Sequence, residues 1–144
     1  MRKGAQTLVF GSKPVILSRA AIGGKKEGEG PLAAYFDFLG KDAKLGQKTF
    51  EKAESQLQEL ALDTAKRKLG VSYEDIDVLF AGDLLNQCIG SSFGLRDFGI
   101  PFFGLYGACS TMGESLMLAA LLIEGGFARL AAALGIKAGS VQHD

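Results

Sequence analysis

Cysteine and histidine are almost missing from this chain, which has two of the first, Cys88 and Cys109, and one of the second, His143. Two thiols cannot build the disulfide framework of a small secreted domain, and with one imidazole they make no structural zinc site. No metal or cofactor is called for. Net charge is missing as well: sixteen basic and sixteen acidic residues cancel, and neither sign gathers into a long block. That leaves no electrostatic footprint for nucleic acid or an anionic bilayer. The longest apolar run, near Leu116 to Ile123, stops at Glu124 and two glycines, far short of a membrane span. The opening MRKGAQTLVFGSK holds too brief an apolar stretch for a signal-peptide core. These absences read as a soluble protein made in a cytoplasm, without signal peptide or transmembrane segment.

What is present is enough for one domain with a core, since 144 residues are 47% hydrophobic. Thr7 to Phe10 and Val15 to Ser18 read as short strands broken at Gly11, Ser12 and Pro14. Gly23 to Pro31, rich in glycine and charge, reads as a mobile loop, and it holds neither phosphate-loop pattern. Leu32 to Leu39 is predicted as a short helix with its aromatics inward. From Gln47 to Leu69 apolar residues recur at helical spacing, from Phe50 through Leu57 and Ala61 to Leu69, with Glu, Lys and Gln on the other face. Lys66, Arg67 and Lys68 suit the carbonyl end of that helix, and Gly70 suits the position just past it.

Ile76 to Ala81 is nearly continuous in apolar character, as a buried parallel strand is. Ser91 to Phe98 is predicted as a helix of about two turns. The stretch from Pro101 to Gly126 then organises the rest: a strand (Phe102 to Tyr106), a tight turn at Gly107, and a helix rich in Leu, Met and Ala from Thr111. Strand, helix, strand, helix implies an α/β class with parallel pairing and helices over the sheet. Ligands of open sheets sit at the carboxyl ends of their strands. The segments Gly82 to Gln87 and Gly107 to Thr111 are therefore expected to face one crevice. Thr111 and Glu114 have capping-box spacing, which places Cys109 just ahead of a helix N-terminus. The helix from Met112 to Glu124 is apolar nearly all round, so it is expected to be enclosed by protein.

Cys109, Ser110 and Thr111, with Gly107 for the turn, are the candidate ligand-binding residues, because free amides and hydroxyls at a helix N-terminus attract an anion. Asp83, Asn86 and Gln87 are either crevice residues or ordinary turn formers; of these Asn86 is the better ligand candidate, since an Asp repels an anion. Cys88 reads as packing. Arg96 is either a surface charge or a counter-ion. No catalytic residue is assigned: the one histidine lies in the tail, and Glu114 adds negative charge near Cys109, so no base or cation activates the thiol.

The segments AGDLLNQ (Ala81 to Gln87), IPFFGLYGACST (Ile100 to Thr111), the pair Glu114 and Ser115, and LIEGGFA (Leu122 to Ala128) resemble the stage V sporulation protein AD family of spore-forming bacteria. GPL (Gly30 to Leu32) and EDIDVLF (Glu74 to Phe80) fall in matching order, and the resemblance covers roughly Gln6 to Arg129. It implies a thiolase-like half-fold, a mostly parallel mixed sheet with a buried helix and covering helices, and it puts Cys109 where that superfamily keeps its acyl-accepting nucleophile. It further implies a non-catalytic protein that binds dipicolinic acid, a planar dianion, during its uptake into the developing spore. Its partners would be the other proteins of the stage V membrane assembly, and its place the cytoplasm or the periphery of the inner spore membrane. The alternatives are a condensing enzyme taking acyl groups from thioesters on Cys109, or an inactive fragment. Residues 1–144 are expected to be a single domain, the amino-terminal half of the thiolase-like pair, truncated or frame-shifted, with 130–144 an atypical tail holding His143 and Asp144. A homodimer through the exposed sheet edge would cover apolar surface left by such a half.

Overall fold

The computed structural model describes residues 1–85 and 87–136. The chain starts with a two-residue antiparallel pair, β1 (Arg2–Lys3) and β2 (Thr7–Leu8). Two more short strands, β3 (Ile22–Gly23) and β4 (Phe38–Leu39), pair in parallel; between them lie one helical turn, α1 (Lys25–Gly28), and a 3-10 turn at Ala33–Tyr35. The long helix α2 (Phe50–Leu69) follows, then β5 (Val78–Ala81), α3 (Ile89–Leu95), β6 (Phe102–Gly104), α4 (Thr111–Glu124) and β7 (Ala131–Ala133).

The central sheet has the order β6-β5-β7, all parallel, with Leu79 opposite Phe102 and Val78 opposite Ala131. Parallel neighbours need crossovers, and α3 and α4 supply helical cover within them. Every residue of β5 is buried, and alternation along it divides the core in two. Leu79 and Ala81 pack with Leu62 of α2, Leu95 of α3 and Ile100. Val78 and Phe80 point the other way, to Leu105, Ala119 of α4 and Ala128. The result is three layers, with α2 and α3 on one face of the sheet and α4 on the other.

Helix α2 forms where the apolar spacing predicts it. The Thr49 hydroxyl accepts the Lys52 N–H at 3.3 Å, and Gly70 ends the helix at φ 76°, a left-handed value that costs glycine little. Leu57 and Leu62 are almost wholly buried, and each such side chain contributes about 1.5–3 kcal/mol by leaving water. The polar face departs from expectation. Glu54 and Gln58, placed on the solvent side by the sequence pattern, are 0% and 2% exposed.

The amino-terminal third differs most from its sequence reading. Residues 13–20 form no strand, and Val15, Ile16 and Leu17 are exposed. This extended strap is tied down at its ends instead. Glu124 accepts the N–H groups of Gly11 (2.7 Å) and Ser12 (2.9 Å) and the Ser12 hydroxyl, and the Ser18 hydroxyl donates to the Ala65 carbonyl at 2.8 Å. Those donors hold the Glu124 carboxyl down at about 2. The glycine-rich loop is partly regular, since it contributes β3 and α1. Leu32 to Leu39 is not a helix: Asp37 exchanges backbone and side-chain hydrogen bonds with Ala21, which draws the segment into the β3–β4 pair, and Tyr35 is exposed.

Helix α4 has the predicted extent but not the predicted enclosure. Of its residues only Thr111, Ser115 and Ala119 are buried, whereas Met112, Leu116, Met117 and Leu121 are exposed. The sheet covers one side of it, and the described residues supply no layer for the other. Between the strap, α2, α4 and β7 lies an apolar cavity of 1010 Å³. Strand β7 sits inside the tail expected to be atypical, yet it hydrogen-bonds beside β5 as an integral edge of the sheet. His143 and Asp144 lie outside the described residues.

Candidate functional site

β5 and β6 run in parallel, so the loops leaving their carboxyl ends emerge side by side. The first loop begins at Gly82 and reaches α3; the second turns at Gly107 into α4. They touch closely. The Leu105 N–H donates to the Ala81 carbonyl at 2.8 Å, and the buried Cys88 thiol donates to the Leu105 carbonyl at 3.2 Å. A Cβ on Gly82 would lie 2.2 Å from the Leu105 carbonyl oxygen and 3.0 Å from Cγ2 of Thr111, so only glycine lets these chains approach so nearly. The two loops lie side by side, as strand order predicts.

The candidates at 107–111 have definite places beside this contact. Ala108–Ser110 form a 3-10 turn that leads into α4, with Cys109 at its middle and exposed. No enclosed mouth surrounds the sulfur. Residues 108–110 are exposed, and none of 107–111 lines the 1010 Å³ cavity. Ser110, not Thr111, occupies the N-cap, and the capping box is not formed. The Ser110 hydroxyl donates back to the Gly107 carbonyl at 2.7 Å and closes the turn. A Cβ at Gly107 would meet Ser110 Oγ at 2.6 Å, Glu114 Oε2 at 2.7 Å and the Thr111 main-chain nitrogen at 3.1 Å, so a side chain there would displace the first two. The Glu114 carboxylate thus sits over the turn, where it opposes a second anion.

Thr111 reaches the crevice floor with its side chain fully buried and its hydroxyl without a hydrogen-bond partner. It offers solvent nothing in this arrangement. Orphaning a hydroxyl costs about 1–3 kcal/mol, more than a satisfied bond returns. Thr111→Val, which keeps the shape and removes the orphan, is therefore expected to raise stability by about 1 kcal/mol. A urea midpoint at or below that of the wild type would contradict this.

Asn86 lies outside the described residues. Its neighbour Asp83 is buried and faces α3, where Oδ1 accepts the Cys88 N–H at 2.9 Å and Oδ2 accepts the Ser91 N–H at 2.8 Å and hydroxyl at 3.0 Å. It is a turn former, turned away from the crevice. Arg96 is a surface charge that pairs with Asp97 at 3.2 Å.

Sequence reasoning missed Glu54. Its carboxylate enters from α2 and accepts the N–H groups of Leu84 at 2.7 Å and Leu85 at 3.2 Å. Burial pushes its carboxyl up, the two amides hold it down, and nearby Asp83 pushes it up further. Gln58, one turn along, donates to the Gly82 carbonyl at 3.4 Å and leaves its own amide oxygen unpartnered. A second overlooked signal is backbone strain. Gln87, Cys88 and Ala108 adopt left-handed φ values of 52°, 67° and 46°, in the two loops that face each other. Such conformations cost a non-glycine residue about 1 kcal/mol or more and collect at ligand-binding sites.

The stage V sporulation protein AD family (SpoVAD) matches residues 4–139, nearly the whole chain. The chain belongs to that family. Stage V sporulation protein AD of Bacillus subtilis (strain 168) is 42% identical over 130 residues, which is 90% of this chain and 38% of that protein. The chain therefore spans well under half the length of this SpoVAD relative. The family match runs on past Arg129 and takes in β7. A solved priming β-ketosynthase from the R1128 polyketide biosynthetic pathway is similar over 53% of this chain and 25% of its own, with 23% identity and a TM-score of 0.47. No helix among the described residues is long and apolar enough to cross a membrane.

Proposed function

We propose that this SpoVAD-family chain forms part of a non-catalytic binding protein for dipicolinic acid, acting in its uptake into the developing spore. The observation that carries the reading is the exposed Cys109–Ser110 turn at the amino end of the 14-residue helix α4, set against the 82–88 loop. A planar dicarboxylate is met there by the exposed Cys109 thiol and by the positive end of the helix dipole. In the same reading the fold is the amino-terminal, thiolase-like half of the family's architecture. The other proteins of the stage V membrane assembly are its partners, and a second copy can pair through the sheet edge. The protein stays in the cytoplasm or at the inner spore membrane surface.

Titration calorimetry with pyridine-2,6-dicarboxylate tests this. Binding is expected in the wild type, and Cys109→Ala should weaken it about three- to tenfold, the worth of one hydrogen bond from a weak thiol donor. Glu114→Gln should act in the opposite direction. It removes a carboxylate from the turn the dianion must enter, and affinity should rise by up to about tenfold, less at high salt. Equal affinity in all three proteins would refute this placement of the ligand. Transfer of an acyl group from a thioester to Cys109 would replace the binding reading with a condensing enzyme.

A further inference from the structure

We propose that Glu54 is the positioning residue of the dianion site: from α2 it fixes the backbone of the Leu84–Leu85 turn, in the loop whose Gly82 and Cys88 touch the chain that leads to Cys109 and Ser110. The inference deepens the dipicolinate reading and rests on it. Its basis is a buried polar assembly with no counterpart elsewhere among the described residues. Glu54 is 0% exposed and spends both carboxylate oxygens on consecutive main-chain N–H groups of the loop. Asp83, from the loop itself, spends its two oxygens on Cys88 and Ser91. The two carboxylates close on the same spot, since a side chain at Gly90 would meet an oxygen of each at 3.2 Å.

Energetics argue against a role in stability alone. A buried carboxylate beside another is a poor way to stabilise a helix interface, and an apolar residue would do as well or better. What Glu54 uniquely supplies is an acceptor for two amides that point into the protein from an irregular turn. Without it those amides must turn outward or stay unpaired. The loop continues through the left-handed pair Gln87 and Cys88, and the Cys88 thiol grips Leu105, the residue two before Gly107. Displacement at Leu84–Leu85 is thereby passed to the turn that carries Cys109.

The test combines amide NMR and calorimetry on the full chain. In the wild type the Leu84 and Leu85 amide protons should be protected from exchange, and their shifts should titrate together, above the ordinary glutamate range, as Glu54 ionises. In Glu54→Gln the titration should vanish, because the variant has no ionisable group there. Exchange of one of those two amides, the one that now faces the side-chain NH₂, should rise at least tenfold. Exchange at Leu57 and Leu62 should not change. Pyridine-2,6-dicarboxylate should bind about tenfold more weakly to the variant. Absence of the joint titration in the wild type overturns the proposal whether or not the variant folds, and so does an unchanged affinity in a variant in which one of the two amides has been freed. A wild type that shows the amide signature but takes up no dicarboxylate identifies the underlying binding reading as the failure, and the positioning role falls with it.

Discussion

Gly82→Ala is expected to destabilise the fold by about 3 kcal/mol or more, at the upper end of what added methyl groups cost in packed interiors. The added Cβ would stand 2.2 Å from the carbonyl oxygen of Leu105 and 3.0 Å from its carbonyl carbon. Both are main-chain atoms and cannot swing aside as a side chain can. Relief requires the end of β6 to move away from β5, and that movement breaks the 2.8 Å bond from Leu105 N–H to the Ala81 carbonyl and the thiol bond from Cys88. Gly113→Ala separates this from a general dislike of losing glycine. Gly113 lies inside α4, and a Cβ there meets nothing within 4 Å. Alanine at that position should stabilise by about 0.5–1 kcal/mol through helix propensity. Urea unfolding of both variants checks the pair: opposite shifts in midpoint are expected. A Gly82→Ala midpoint close to the wild type would mean that the strand ends are not pressed together as described.

The contrast between the two glycines shows where the sequence is readable. Helix α2 announces itself because its apolar period, its Thr49 start and its Gly70 stop are all local signals. β5 is equally plain, since a run such as IDVLFA has few uses other than a strand covered on both faces. The order strand, helix, strand, helix was enough to put the loops after β5 and β6 side by side, and so to bring Gly82 near Thr111. What was illegible depends on partners distant in sequence. Glu54 reads as a solvent-face residue of α2 until amides thirty residues later need an acceptor. Val15 to Ser18 has the composition of a strand, but composition does not supply a neighbour to pair with, and the segment remains an extended strap. The aromatic residues of 32–39 suggest a helix, whereas Asp37 commits the segment to Ala21. The apolar surface of α4 predicts that something covers it, not that the cover lies within these residues. Cys109 is legible as the start of a helix and illegible as an exposed group, for the same reason.

Asp83→Ala should cost about as much as Gly82→Ala, roughly 3 kcal/mol, by a different route. Three donors converge on this one buried carboxylate: the N–H of Cys88 and the N–H and hydroxyl of Ser91. Alanine leaves the two N–H groups without an acceptor at the start of α3, while the Ser91 hydroxyl keeps the Cys88 carbonyl at 3.3 Å. That helix begins from a left-handed Cys88 and has no side-chain cap of its own. Asp83→Asn is the sharper test. An amide has the same shape but only one acceptor atom, so either way round its NH₂ is turned toward N–H groups, and most of the loss should persist. Part of the cost is returned at Glu54, because the Asp83 charge pushes that carboxyl up and its removal eases the burial of the neighbouring anion. The sign of the pH dependence follows. A group held above its unfolded value takes up protons on folding, so Glu54 lowers stability as pH rises from about 4.5, its ordinary value, through its raised folded one. In Asp83→Asn that decline should still begin near 4.5 but end closer to it, so that less stability is lost in total. Combining Asp83→Asn with Glu54→Gln should therefore destabilise by more than the sum of the two single changes, because either change alone already removes the one repulsion that the pair shares. Chemical unfolding of the four proteins at pH 5 and pH 8 measures this coupling, and strict additivity at both values would show that the two carboxylates do not sense each other across Gly90.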